Sequence, residues 1–394
     1  MNRKPSQPNN TATSAAARQA AMPHIRALTD WLGSVAPLAG AEPWDRVGLL
    51  SCPKPDAKVK SIVVALDLTP QVYDLCAHKR ADLLVCYHPP IFKPLDKLVS
   101  AGQHPHDLAL ALFRDGVAIY SPHTAFDVAE GGTNDALAAA AGLQVSGSLM
   151  PGKAAQSLFK LITFVPSENL ESVAQAVFNA GAGHIGKNSR YTQCSFRTPG
   201  TGTFLGGDES NPAIGRRGHL EHVAEVRFET VVGQKHLLAA IDALRRAHPY
   251  EEPAFDVLPL ANPQDTPGLG RIAHLPKPLR PGDFARTVKR RLKLSHVQLA
   301  DASGGLIRNC ALVAGSAGRL ALDAHKTCTF DLLMTGELKH HDLLAYRAAG
   351  INVLLLGHAN SEIPGLIALA SQLRQAWPAV GVEFCHPAPL TCTV

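Results

Sequence analysis

Two segments near opposite ends of the chain space ligand-type side chains in the same way, and this repetition constrains the fold more than any other feature. In the first, His106 is followed seventeen residues later by His123, and four residues after that by Asp127. In the second, His341, His358 and Glu362 keep both intervals. The likeness extends upstream, where Ala81-Asp82-Leu83-Leu84-Val85 matches Phe330-Asp331-Leu332-Leu333-Met334. The sixth residue beyond each aspartate is polar, His88 in one copy and Glu337 in the other. Ahead of these lie two more apolar runs, 61–66 and 310–315. Each copy therefore reads strand, helix, strand, helix, strand, the alternation of parallel α/β units. The expected fold class is α/β, with two pseudo-repeated lobes around a shared cleft.

The polar residues fall where such a fold does chemistry. Pro89 and Pro90 end the strand that runs into Tyr87 and His88, because proline has no donor for a sheet ladder. His88, His123, Glu337 and His358 all occupy carboxyl ends of buried strands, the edge at which open parallel sheets bind ligands. Two facing lobes would join these side chains to the carboxylates of Asp127 and Glu362. Imidazole with carboxylate suits zinc, iron(II) or manganese. Acids from both lobes could bridge two cations roughly 3.5–4 Å apart, a spacing that activates water and clamps developing charge. A lone strand-end histidine is more simply a hydrogen-bonded structural residue, but four polar strand ends favour a metal.

A chain of 394 residues implies two or three domains. The net charge of +5 is mild, and the basic run 289–293 reads as the solvated face of a helix, so nucleic acid is not the expected partner. No apolar run is long enough to cross a membrane. The eight cysteines are scattered with no CxxC pair, which points to small core residues and a reducing, cytoplasmic setting. Residues 1–22 read as a disordered tail.

The repeat places a first α/β lobe at 23–152 and a second at 265–394, with an insertion at 153–264. The insertion carries strand-like runs at 159–165 and 225–231, each followed by a helix-like run, which suggests a small ferredoxin-like α+β domain. Gly181, Gly183 and Gly186 spell a dinucleotide-binding GxGxxG, but a helix precedes it where that motif requires a strand. His248 with Glu251 and Glu252 offers acid–base groups or a second ligand site, or a loop that packs against the metal cleft or a neighbouring subunit.

Several motifs taken together resemble the GTP cyclohydrolase 1 type 2 homologue family, also called the NGG-interacting factor 3-like family. They are Trp44-Asp45-Arg46-Val47-Gly48-Leu49, Tyr87-His88-Pro89-Pro90-Ile91-Phe92, His123 through Asp127 with Gly131-Gly132-Thr133-Asn134-Asp135, Thr335 through His341, and Gly357 through Glu362. The resemblance implies a dinuclear metal site held by His88, Asp127, His358 and Glu362, with one or two divalent ions (zinc, iron or manganese) per chain. Tyr87 stands where the family pattern has a histidine, and a neutral phenol is a poor ligand. Tyr87 therefore either supplies a phenolate or packs and hydrogen-bonds, leaving one metal position weakened. The resemblance further implies a homo-oligomer, usually a hexamer, and an insert similar to PII and CutA domains. His123 and Glu337 become expected proton carriers beside the metal, with Asp45 near the site. The function so implied is a metal-dependent hydrolase of the GTP cyclohydrolase type 2-like class acting on a small molecule such as a nucleotide. The alternative is a metal-binding regulatory or interaction protein without turnover.

Overall fold

A computed structural model describes residues 22–95, 102–150, 152, 158–186, 190–261, 268–302 and 304–388. The expected tail at 1–22 lies almost wholly outside the described residues. The chain divides into two compact units, one made of Met1–Lys153 with Pro267–Val394 and the other of Ala154–Thr266. Together they form a mixed α/β fold with several sheets.

In the first unit, helix α1 (Ile25–Val35) leads to β1 (Gly48–Ser51), β2 (Ser61–Ala65), α2 (Pro70–Lys79), β3 (Leu83–Cys86), α3 (Pro105–Arg114) and β4 (Ala118–Ser121). Two short helices follow, α4 (His123–Val128) and α5 (Thr133–Ala141), then β5 (Gln144–Met150). The second unit contributes β6 (Leu158–Pro166), α6 (Leu170–Asn179), β7 (Ser195–Leu205), β8 (Leu220–Gly233), α7 (Gln234–Ala247) and β9 (Phe255–Pro259). The chain then returns to the first unit with β10 (Leu269–Leu279), α8 (Pro281–Arg291), β11 (Gln298–Ala300), β12 (Ile307–Ser316) and α9 (Leu320–His325). It closes with β13 (Leu332–Glu337), α10 (His340–Ala348), β14 (Asn352–Leu355), α11 (His358–Ala376) and β15 (Gly381–Phe384).

Two sheets organise the first unit, in the orders β1-β4-β3-β2-β15 and β11-β14-β13-β12-β10-β5. Strands β2, β3 and β4 run parallel in one, as do β12, β13 and β14 in the other. These strands are apolar without alternation because both faces are covered, as parallel strands require. On β3, Leu83, Val85 and Tyr87 meet α1 and α11, whereas Leu84 and Cys86 meet α2 and α3. On the second sheet, Leu332 and Met334 pack toward α5 and α8, and Leu333 toward α9 and α10.

The sheets trade edge strands across the two halves of the sequence. Strand β15 from the second half pairs in parallel with β2 in the first sheet, and β5 from the first half pairs with β10 in the second. Helices α5 and α11 meet closely, since a Cβ added at Gly365 would lie 2.8 Å from Thr133 Cα. Arg271, only 4% exposed, forks its Nε and a terminal nitrogen onto Asp135 at 2.8 and 2.9 Å and also donates to the Ala129 carbonyl. Asn134 bridges further, accepting from Ala314 N and donating to the Asp127 carbonyl. The GGTND stretch is thus a clamp that fixes the 127–135 turn against β10 and β12.

The second unit is one sheet in the order β7-β8-β6-β9, with every pair antiparallel. One face is covered by α6 and α7 through Leu161, Val165, Val177, Phe228 and Leu244. The GxGxxG glycines follow α6 in coil, all at positive φ. Strand β7 was not legible as a strand, because Pro199, Gly200 and Gly202 interrupt it. It is an edge strand, where a missing ladder donor costs least. Among the described residues no helix is long and apolar enough to cross a membrane.

Candidate metal centre

The parallel strands deliver their polar residues to one place. The β3 ladder continues past Cys86, with Tyr87 N donating to Ala65 O and His88 N to Leu66 O, so His88 emerges at the sheet edge. His123 opens α4 directly after β4, Glu337 ends β13, and His358 opens α11 after β14. Glu362 follows one helical turn after His358, on the same face. Ligating atoms of His88, His358 and Glu362 lie within 4.8 Å of one another.

The orientations follow a single pattern. His358 Nε2 is 3.2 Å from Glu362 Oε1, and His88 Nε2 is 3.5 Å from Glu362 Oε2. Each imidazole turns its other nitrogen to a separate carboxylate, His88 Nδ1 to Asp67 at 2.8 Å and His358 Nδ1 to Glu337 at 3.2 Å. Metal-ligating histidines are held in this way, with the distal nitrogen bonded to a carboxylate that fixes tautomer and ring plane. Glu362 is only 4% exposed, yet its Oε2 has no hydrogen-bond partner. A buried carboxylate oxygen needs a cationic neighbour, which His88 provides at 3.5 Å when protonated and a bound cation would provide in its place. Two glycines make the room: a Cβ at Gly315 would stand 2.7 Å from Glu362 Oε1, and one at Gly336 would stand 2.8 Å from His358 Cα. Two imidazoles and one carboxylate fit a divalent cation by donor type.

Charge on these groups is balanced locally. Burial works against charge on His88, but Asp67 and Glu362 outweigh it and raise its pKa to about 10. His358 is raised to about 9, chiefly by its bond to Glu362, against an opposing effect of burial. Burial opposes ionisation of Glu362, and the two imidazoles overcome it and hold its pKa below the usual value.

Asp127 stands apart from that cluster. Its Oδ1 accepts a hydrogen bond from the Tyr87 hydroxyl, which also lies 3.3 Å from Thr133 Oγ1. Burial pushes the Tyr87 phenol well above its usual pKa, and the Asp127 and Glu362 charges push the same way. Tyr87 thus keeps its proton and spends it on Asp127. Asp127 itself is raised to about 6, first by burial and then, against the Tyr87 bond, by repulsion from Glu362.

His123 forms a second group beside the cluster, its ring 5.4 Å from that of His88. Its Nδ1 is 2.8 Å from Asp45 Oδ1. Asp45 also accepts from Thr124 N and Oγ1 and from Arg46 N. Burial raises the Asp45 pKa, but these partners more than offset it and keep the group ionised. An ionised Asp45 requires the proton on Nδ1 and leaves Nε2 free to exchange one. His123 takes a backbone φ of +24°, which a non-glycine residue adopts only under constraint from its surroundings. Trp44 is 55% exposed and packs 6.1 Å from both Phe92 and His123, giving the site an aromatic rim. His340 and His341 are exposed at the start of α10.

Asp67 was missed from the sequence because it has no counterpart in the repeat. Its signal was present nonetheless, an acid just beyond β2 on the same carboxyl edge. Thr124 and Thr133 fall within the motifs at 123–127 and 131–135, but nothing local assigned them a role, since a buried threonine reads as ordinary core.

The chain matches the family Duf34/NIF3 (NGG1p interacting factor 3) over residues 23–388. A Mycobacterium tuberculosis protein named GTP cyclohydrolase 1 type 2 homolog is 38% identical over 91% of this chain and 93% of its own length. Human NIF3-like protein 1 is 32% identical over 86% of this chain and 83% of its own. Among solved structures, a Bacillus cereus protein related to NIF3 superposes with a TM-score of 0.72 at 32% identity, covering 95% of this chain and all of that one. On these grounds the chain belongs to the Duf34/NIF3 family.

Proposed function

We propose that the protein is a metal-dependent hydrolase whose site holds a single divalent cation through His88, His358 and Glu362. The observation that carries this reading is the pair of imidazoles converging on the buried Glu362 carboxylate, each backed by its own carboxylate. A cation bound there supplies Lewis acidity that acidifies water and polarises an electrophilic group. The residues of the chain supply the rest. Asp67 and Glu337 orient the ligand rings, so Glu337 acts by positioning His358. Asp45 holds the His123 tautomer, and His123 Nε2 accepts a proton from the attacking water and returns it to the leaving group. Trp44 and Phe92 offer flat apolar faces to a planar substrate such as a nucleotide base. Asp127, engaged by Tyr87, is taken out of the ligand set, which is why one cation is proposed and not two.

Further parts of this reading rest on topology and composition. The matched orders β1-β4-β3-β2 and β11-β14-β13-β12 support a duplicated lobe. The antiparallel β7-β8-β6-β9 sheet with two helices on one face supports a ferredoxin-like insert of PII or CutA type. Seven free cysteines among the described residues suit a reducing cytoplasm. A ring-shaped homo-oligomer, a hexamer, is part of the same proposal and is tested by light scattering of the full chain.

The central test is metal content by elemental mass spectrometry, followed by turnover of a nucleotide panel by the loaded protein. The expected result is about one metal per chain, lost in Glu362→Gln, with turnover abolished in His123→Asn while metal is retained. No metal after reconstitution overturns the site. Full loading without turnover of any substrate overturns the hydrolase and favours a regulatory metal protein, a reading to which the Tyr87 lock on Asp127 already lends weight.

A further inference from the structure

The second unit contains a cavity of about 580 Å³ on the sheet face that α6 and α7 leave uncovered. Its volume is in the range of small-molecule sites. Strand β7 turns Gly200 and Gly202 toward it. Gly200 pairs with Glu225 and Gly202 with Val223, on the side of the sheet opposite Phe228. A Cβ at Gly200 would meet nothing within 4 Å, and one at Gly202 would strike the Glu225 carboxylate. The glycines therefore leave space where any other residue would fill it.

The walls are aromatic and the charge is acidic. Phe164, Phe204 and Tyr250 line the space together with Glu225, Glu251 and Glu252. Glu225 is only 8% exposed and is held by the Tyr250 hydroxyl at 2.7 Å. The lining's cation, Arg227, is paired with Glu229 at 2.7 Å and lies 5.8 Å over the Phe164 ring, which leaves Phe204 and Tyr250 as the free aromatic faces. His248 does no acid–base work here. Its Nδ1 accepts from Tyr250 N and its Nε2 donates to the Phe164 carbonyl, so it is neutral and serves to anchor the loop that presents Tyr250 and the two glutamates.

We propose that this cavity binds a small organic cation with an apolar body, an amine or quaternary ammonium seated against Phe204 and Tyr250 with its charge at Glu225. Aromatic faces and a buried carboxylate both favour such a ligand, whereas an anion would meet three carboxylates. This site is separate from the proposed metal chemistry and makes no use of it.

The test titrates phenethylamine, 2-phenylethanol and phenylacetate into the full chain by calorimetry. Phenethylamine is expected to bind saturably, with the alcohol and the acid each weaker by about tenfold or more. Glu225→Gln keeps an acceptor for Tyr250 and is expected to weaken the amine by a similar factor while leaving the alcohol unchanged. Gly200→Val places a side chain in open space on an extended strand and is expected to abolish binding with the melting temperature preserved. Absence of saturable amine binding overturns the proposal. Equal binding of all three probes, or amine binding untouched by both variants, overturns it equally.

Discussion

Replacing Tyr87 with phenylalanine removes one oxygen from a fully buried ring and leaves its packing against α1 and α11 in place. No sizeable cavity forms, so the cost comes from the lost hydrogen bond to Asp127. A hydrogen bond to a charged partner contributes about 1.5–3 kcal/mol, and the upper half of that range applies because Asp127 keeps only Thr133 as a side-chain donor. The sign with pH follows from the Asp127 carboxyl, whose folded pKa is raised from 3.8 to about 6. An acid raised in this way contributes stability that is present below its unfolded pKa and lost as pH climbs through its folded one. Tyr87 holds that rise in check. Without it the folded pKa climbs further, and the ionised carboxylate is costlier to bury. The variant should therefore be less stable than its parent by about 2–3 kcal/mol near pH 8, with a clearly smaller deficit near pH 5. Urea unfolding of the metal-free proteins at both pH values measures this. A deficit below about 0.5 kcal/mol at pH 8, or one independent of pH, would refute the role given to the Tyr87 hydroxyl.

Asp67→Asn should reduce metal affinity by about 10–100-fold while His88 remains a ligand, read by competition with a chelating dye; unchanged affinity would show that Asp67 does not orient His88. In chelator, His358 and His88 contribute stability that is full below their ordinary pKa and lost as pH rises through about 9 and about 10 respectively, so melting temperature should decline in that window. Zinc must displace those protons, so its protection should instead grow with pH, and parallel pH slopes with and without zinc would contradict ligation by these imidazoles. Gly336→Ala should abolish metal loading, since its Cβ would lie 2.4 Å from the Gly315 carbonyl oxygen; normal loading would mean that this close approach is unimportant.

Much of the site could be read from the chain because its logic is local. Strand ends, the His-x-x-x-acid step of one helical turn and the prolines after His88 are all short-range signals. What escaped depends on tertiary pairing. Strand β15 is four residues long, and nothing in Gly381-Val-Glu-Phe384 states that it pairs with β2 more than three hundred residues earlier. Strand β5 is an exposed edge with polar residues and a glycine, a pattern that also describes a loop. Tyr87 was ambiguous between phenolate ligand and packed side chain until the fold showed its hydroxyl donating to Asp127. Asp67 was overlooked for the converse reason: the repeat drew attention to matched positions, and this acid has no match.

The exchange of β5 and β15 bears on how such a chain reaches its native state. A polypeptide emerging from the ribosome presents β1 to β4 early, yet the neighbour of β2 arrives only after about three hundred further residues. Until then the edge of β2, apolar on both faces, stays open, and such edges recruit other chains. The first unit has high contact order by construction, so its completion should be slow and late, whereas the second unit has all its pairing partners in hand long before. Trimming the chain before residue 381 would then yield a protein with an intact middle and an aggregation-prone frame, although every proposed metal ligand would still be present.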